Sequence, residues 1–284
     1  MFDILFLLLY TVNEVRVMKQ HFDPRQEMHN RQFEIFHYSE TENVDVDIHH
    51  HDFYEVYLFL DGDVQYWVEG TLYTLKPYDI MIVSPMELHR PIINKKSVYE
   101  RVVLWIDKEY FRKSAGELDL EKCFSTGILH ASRELSETLL KLAREFNGND
   151  EGKSTYCNAL LMQFTVLLYR RAFKSERVVD RQSDDSLSSQ VLKFVNAHYS
   201  EKLTLDTLAK QFYVSKYYLS HQFSSDVGVS VYRYIMIKRL ITARRMLEEG
   251  VPAGEVCDTV GFKDYAGFYR AFRSEFGISP SSKE

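Results

Sequence analysis

Four side chains in the front half of the chain have the types and spacing of a coordinating set: His49, His51, Glu55 and, further on, His89. In an extended segment residues 49, 51 and 55 share parity and therefore one face, which leaves His50 on the other face, toward solvent. Two imidazoles, a carboxylate and a third imidazole suit zinc, iron, nickel or manganese. The same groups can instead line a pocket for a small polar molecule or bond to one another, and both readings stay open. The six residues His49, His51, Glu55, Tyr57, Tyr66 and His89 are assigned here to small-molecule contact, with no metal, no other cofactor and no catalytic residue. Trp67, Tyr73 and Tyr78 lie in or beside the same runs. Aromatic rings with polar tips suit stacking on a sugar ring or a similar small molecule, and they suit ordinary barrel packing as well.

A second chemistry lies in the last hundred residues. Leu219–Val231 overlays Phe268–Pro280 at an offset of 49, pairing Phe223 with Phe272, Gly228 with Gly277 and Ser230 with Ser279. Each copy follows a short helical segment and a turn, TLDTLAKQFYVS in one and PAGEVCDTVGFKD in the other. Helix, turn and a second helix with a polar outer face is the pattern that lays its second helix in the DNA major groove. Leu219, Phe223 and Val227, and likewise Phe268, Phe272 and Phe276, recur every fourth residue and belong inside. Outward lie Tyr217, Ser220 and His221 in the first copy, and Tyr265, Tyr269, Arg270 and Arg273 in the second. A guanidinium can bond guanine O6 and N7 together, which makes Arg270 the foremost base-reading candidate. Tyr217, His221 and Tyr269 suit bases, thymine methyls or phosphates, and Lys216, Lys263 and Arg273 suit phosphates. One polar helix face is ordinary solvated surface, whereas two copies in register point to a reader of two adjacent groove segments.

The elements that must position these residues follow from periodicity. From Glu34 to Asp107 short β-rich runs (EVYLFL, VQYWVEG, TLYTL, DIMIVSP, YERVVLWID) alternate with turn signals such as Asp61-Gly62 and Glu69-Gly70, as in a small antiparallel barrel. The period then becomes helical. Leu135, Leu139, Leu142 and Phe146 form one stripe, and the segment 154–173 is apolar nearly all round, as if covered by the barrel and by a partner chain. The helices of residues 131–174 stand between pocket and linker and are expected to couple them. In the back half Ser230–Glu249 reads as one helix of roughly 30 Å, close to the ~34 Å between successive major-groove faces. Ile235, Leu240, Ala243 and Leu247 would pack on both units, and Lys238, Arg244 and Arg245 would meet phosphates. The fold class is α+β: a barrel over residues 18–112, a helical dimerisation segment over 113–174, a linker over 175–186 and an all-α tandem helix-turn-helix domain over 187–284.

Charge divides along the same line. Residues 186–284 hold 13 Lys+Arg against 10 Asp+Glu, a net +3, while the whole chain of 284 residues carries −6, leaving the front at −9. That split fits a nucleic-acid module tethered to something else. Cys123, Cys157 and Cys257 have neither metal nor disulfide spacing, which fits a reducing cytoplasm, with Cys257 a core thiol. The apolar start, MFDILFLLLY, is far short of the ~20 residues that span a bilayer, so no membrane partner is expected. Met18 is a second candidate start, which would leave residues 1–17 frayed.

The segments LAKQFYVSKYYLSHQF, GVSVYRYIMIKRLITARRML and VGFKDYAGFYRAFRSEFGISP closely resemble the AraC/XylS family of bacterial transcription regulators over about the last 97 residues. The barrel with its HxH and Glu pattern resembles the cupin motif, with Glu87 standing where that motif has glycine and His89 one residue early. The resemblance implies a homodimer that binds promoter DNA through both recognition helices. It also implies contact with RNA polymerase and control of transcription, usually activation, by a small-molecule effector in the cupin pocket, frequently a carbohydrate. Three departures stand out: His221 where the family often has arginine, Tyr213 where the second unit has Gly261, and Ala266-Gly267 for a common Ser-Tyr pair. Tyr213 predicts a different geometry for the first turn. A metal-dependent cupin enzyme with a DNA-binding appendage is the alternative.

Overall fold

The computed structural model describes residues 27–40, 46–94, 98–114, 127–174 and 186–282, with Gln20, Phe22, Gly116, Leu118 and Phe124 besides. The expectations for residues 1–17, for Cys123 and for nearly all of the linker lie outside the described residues.

Among the described residues eight strands form two antiparallel sheets: β1 (Phe33–Glu40), β2 (Tyr54–Asp61), β3 (Val64–Val68), β4 (Thr71–Thr74), β5 (Asp79–Val83), β6 (His89–Ile93), β7 (Tyr99–Ile106) and β8 (Gly127–His130). The larger sheet has the order β1-β7-β2-β5-β8 and the smaller β4-β3-β6. Period-two alternation sorts the strand side chains into two clusters. Tyr57, Phe59, Tyr66, Tyr99, Val103 and Trp105 meet between the sheets. Val56, Leu58, Val102, Leu104 and Ile106 face the other way. Among the described residues three helices follow or interrupt the strands: α1 (Lys108–Ser114), α2 (Arg133–Asn147) and α3 (Lys153–Lys174). Leu135, Leu139 and Leu142 of α2, with Leu160, Leu161, Phe164 and Leu168 of α3, cover that second face. Strand β8 pairs with β5 inside the stretch whose sequence reads as helical. At four residues it is too short to show alternation.

The back half contains α4 (Leu187–His198), α5 (Leu205–Gln211), α6 (Lys216–Val227), α7 (Val231–Glu248), α8 (Ala253–Thr259) and α9 (Tyr265–Phe276). Thr204, Ser215, Ser230 and Asp264 cap α5, α6, α7 and α9, each side-chain oxygen accepting from the backbone N–H three residues on. Helix α7 is shared between the two units. Tyr234, Ile235 and Ile237 belong to the first cluster, and Leu240, Ala243 and the partly buried Leu247 to the second. Cys257 is buried in the second cluster.

The barrel and the helical domain are not merely tethered. Trp67 on β3 has opposite parity to Tyr66 and, with Ile48 and Leu88, joins one cluster with Val191, Leu192, Val195 and Phe223. Polar contacts ring this patch. Arg90 Nη2 donates to the Asp226 carbonyl at 2.6 Å, near the C-terminal end of α6. Lys238 pairs with Glu69 at 2.6 Å, Arg244 with Asp52 at 2.9 Å, and His50 Nε2 with Glu275 at 3.0 Å. The sequence expectations for these residues are corrected accordingly: Lys238 and Arg244 face barrel carboxylates instead of DNA, and His50 is docked instead of solvated. The order of layers is therefore helix pair, five-stranded sheet, three-stranded sheet, helical domain.

Candidate DNA interface and barrel pocket

Both second helices of the repeat present their expected faces. Tyr217 is 81% exposed and stacks on His221, their rings 6.1 Å apart. His221 is exposed and Ser220 half-buried beside it. Lys216, also exposed, pairs with Asp206 at 3.0 Å across the turn. In the second unit Lys263, Tyr265, Arg270 and Arg273 are exposed and Tyr269 is half-buried. Phe268 and Phe272 anchor α9 from below, as Leu219 and Phe223 anchor α6. Phe276 is only partly buried, because it ends the helix under the Arg244 guanidinium, 5.2 Å from its ring. Docking on the barrel leaves both recognition faces open.

The two turns share one geometry, contrary to the expectation from Tyr213. Tyr213 has φ 55° and Gly261 φ 85°, both left-handed. The following amides make the same bond, Val214 N–H to the Ala209 carbonyl and Phe262 N–H to the Cys257 carbonyl, at 3.0 and 3.1 Å. Tyrosine tolerates this at the first turn because its side chain is 96% exposed. At the second turn only glycine fits, since a Cβ on Gly261 would stand 2.1 Å from the Ser200 carbonyl oxygen. Arg239 of α7 grips the same loop, donating to the Tyr199 and Glu201 carbonyls at 2.7 Å each. The loop at 199–201 thus sets the second unit against the first.

In the barrel, the six residues assigned to small-molecule contact lie together. His49, Glu55, Tyr57 and Tyr66 line a cavity of about 40 Å³, with His51 and His89 adjoining. Glu55 Oε1 accepts from the Tyr66 hydroxyl at 2.6 Å and Oε2 from Trp105 Nε1 at 2.8 Å. Burial alone would raise the Glu55 carboxyl. Its hydrogen bonds and the neighbouring imidazoles outweigh burial and hold it well below the usual carboxylate range. Burial pushes the Tyr57 and Tyr66 hydroxyls well up, and Tyr99 up to about 12, so all three stay neutral. Burial also lowers His49 to about 4 and holds His89 well below its ordinary value.

Lining residues that the sequence analysis did not assign include Tyr38, Tyr99, Arg101 and Trp105. Arg101 is buried, ion-paired with Glu40 and lodged 4.1 Å from the Tyr99 ring centre. Residues 99, 101, 103 and 105 share parity on β7, and β2 pairs with it as Glu55 to Trp105 and Tyr57 to Val103. Parity was the available signal; which face was inner was not legible. Trp67 points to the helical domain, Tyr73 is packed between the sheets, and Tyr78 sits in a turn at φ 70°.

Comparison with known proteins agrees with this division. A family model described as the AraC-like ligand binding domain matches residues 34–165, and one described as a helix-turn-helix domain matches residues 208–283. The chain is 27% identical over 248 residues to the HTH-type transcriptional activator RhaS of Salmonella arizonae, covering 82% of this chain and 85% of the relative. The Salmonella schwarzengrund RhaS is 26% identical over the same length. Among solved structures, ToxT from Vibrio cholerae is similar over 90% of this chain and 96% of its own, at 13% identity and a TM-score of 0.41. The C-terminal domain of AraT from Geobacillus stearothermophilus is similar over 33% of this chain and 79% of its own, at 27% identity and a TM-score of 0.32.

Proposed function

The chain belongs to the AraC family of helix-turn-helix regulators, and from that premise we propose that it activates transcription at specific promoters when a small molecule occupies its barrel. The observation that carries the reading is the pair of matching helices, α6 and α9, each with a capped start, a buried aromatic anchor and an open polar face. Arg270 reads bases, His221 and the tyrosines supplement it, and Lys216, Lys263 and Arg273 hold phosphates. Helix α7, 18 residues or about 27 Å long, spaces the two readers by nearly one duplex turn. The activator reading is supported by the two relatives, both known as transcriptional activators.

The effector is a small polar molecule, with carbohydrate the class best suited to aromatic walls carrying neutral hydroxyls and to the Arg101–Glu40 pair. A cavity of about 40 Å³ is well below the ~300 Å³ at which ligand pockets begin, so a sugar enters only as the barrel opens. Opening would be felt where the smaller sheet meets α4, α6 and α7. That is a shorter route than the helices of residues 131–174. Those helices serve instead as the dimer element, working in the cytoplasm beside RNA polymerase. No described helix is long and apolar enough to cross a membrane.

Selection from random duplexes with the full chain tests the DNA reading. A two-part motif with its halves about one turn apart is expected, and recovery of unselected sequence would overturn it. A thermal-shift screen against sugars, followed by operator binding with the stabilising sugar, tests the gating. Unchanged operator affinity and spacing at saturation would overturn that part alone.

A further inference from the structure

The two DNA-reading units meet across a cleft of about 1040 Å³. One wall is α7, where Tyr232, Met236 and Arg239 stand at i, i+4 and i+7 and so share a face. The other wall is the turn of the second unit and the start of α9, with Lys263, Gly267 and Arg270. Lys202, in the loop before α5, lines the cleft as well.

Among the described residues four cations line it, Lys202, Arg239, Lys263 and Arg270, against one carboxylate, Asp264. That net +3 equals the excess of residues 186–284 as a whole. The carboxylate is already engaged, since Asp264 Oδ1 accepts from the Gly267 N–H at 2.7 Å as the cap of α9. Arg239 donates to backbone carbonyls, which leaves its charge without a counter-ion. Lys202, Lys263 and Arg270 form no ion pair with any described residue. Elsewhere in the helical domain comparable cations are paired: Lys216 with Asp206, Arg233 with Glu275, Lys238 with Glu69 and Arg244 with Asp52. Like charges gathered in one cleft repel each other, and an anionic occupant removes that cost.

The position of the cleft identifies the anion. Arg270 belongs both to its wall and to the exposed face of α9, so the cleft opens on the DNA-reading side. Tyr232, 72% exposed near the start of α7, carries the wall toward the first unit. Gly267, where the family commonly has tyrosine, leaves the α9 wall bare, and a backbone can approach it closely. Between two major-groove segments one turn apart, a duplex turns its minor groove and the flanking phosphates toward the protein.

We propose that this cleft holds the sugar–phosphate backbone of the operator between the two major-groove segments. Lys202 and Lys263 meet phosphate oxygens, and the Tyr232 hydroxyl donates to another. The inference rests on the two-helix reading of DNA and adds two residues that the reading does not use, Lys202 and Tyr232. Phosphate contacts carry no sequence information, so their effect is to fix the register of both readers on the duplex.

The test is phosphate ethylation interference with the full chain on a selected operator, with affinity followed over a salt series. Ethylation of phosphates between the two major-groove segments is expected to block binding by the wild-type chain. Lys202→Ala should relieve that block at one phosphate, weaken binding about fivefold at about 0.15 M salt and lower the salt slope by about one, with the selected sequence unchanged. Tyr232→Phe should relieve a neighbouring phosphate at an unaltered slope, and Lys76→Ala on the barrel should change nothing. Both cleft side chains are exposed, so melting temperatures should match wild type. Harmless ethylation of the central phosphates, with an unchanged slope in Lys202→Ala, would overturn the proposal. Protection of both major-groove segments in the same experiment would show that the two-helix reading survives its loss. Lost transcription at unchanged operator affinity in Lys202→Ala would assign the cleft to a protein partner and overturn the proposal equally.

Discussion

Arg270 and Arg273 are one helical turn apart on α9, both exposed, yet they are expected to act differently. Arg270→Ala should erase preference at one base pair, worth about 1–3 kcal/mol, while leaving the salt dependence nearly intact. Arg273→Ala should weaken all sequences alike and lower the salt slope by about one. Competition binding over a salt series separates the two, and identical behaviour would refute the assignment. Four-residue spacing made these positions legible, because Phe268 and Phe272 define the inner face and leave the outer one by subtraction. The same logic failed for Lys238 and Arg244. Their carboxylate partners, Glu69 and Asp52, lie 169 and 192 positions upstream, beyond the reach of any local pattern.

Turns and connecting loops carry the geometry between units. The loop at 199–201 is touched by the Gly261 turn and gripped by Arg239, so it fixes how α9 stands relative to α6. Gly261→Ala combines a left-handed alanine, costing about 1–2 kcal/mol, with overpacking of about 1–3 kcal/mol against Ser200. A fall in melting temperature with at least tenfold weaker operator binding is expected. A variant that matches wild type in both would show that the turn does not set this spacing. Strands were legible where β-rich runs of five residues or more stood between turn signals, as in β2 and β7. The four-residue β8 was not, and neither was the sense in which β7 faces the cavity, because each of its faces mixes apolar side chains with one charged residue, Glu100 or Arg101. The left-handed turn at Tyr213 was misjudged because residue type is only a preference, and an exposed ring leaves the backbone free to adopt it.

The layered arrangement joins pocket and DNA-reading domain through the smaller sheet. Composition signalled two domains, but their docking was hidden: Trp67 reads as one more barrel aromatic until its parity is set against that of Tyr66. Lys238→Glu should set two carboxylates against each other where the ion pair now stands at 2.6 Å, and so loosen the docked state. Glu69→Lys combined with it should restore docking, as followed by amide exchange in α4. Failure of the double variant to recover would mean that the pair does not hold the domains together.

Hydroxyl-radical footprinting of the full chain on a selected operator addresses most directly whether both helices grip DNA at once. The wild-type protein is expected to protect two major-groove segments about one turn apart per chain, with the segment read by α6 fading in His221→Ala and the segment read by α9 in Arg270→Ala. A single protected segment, or two segments untouched by both substitutions, would contradict it.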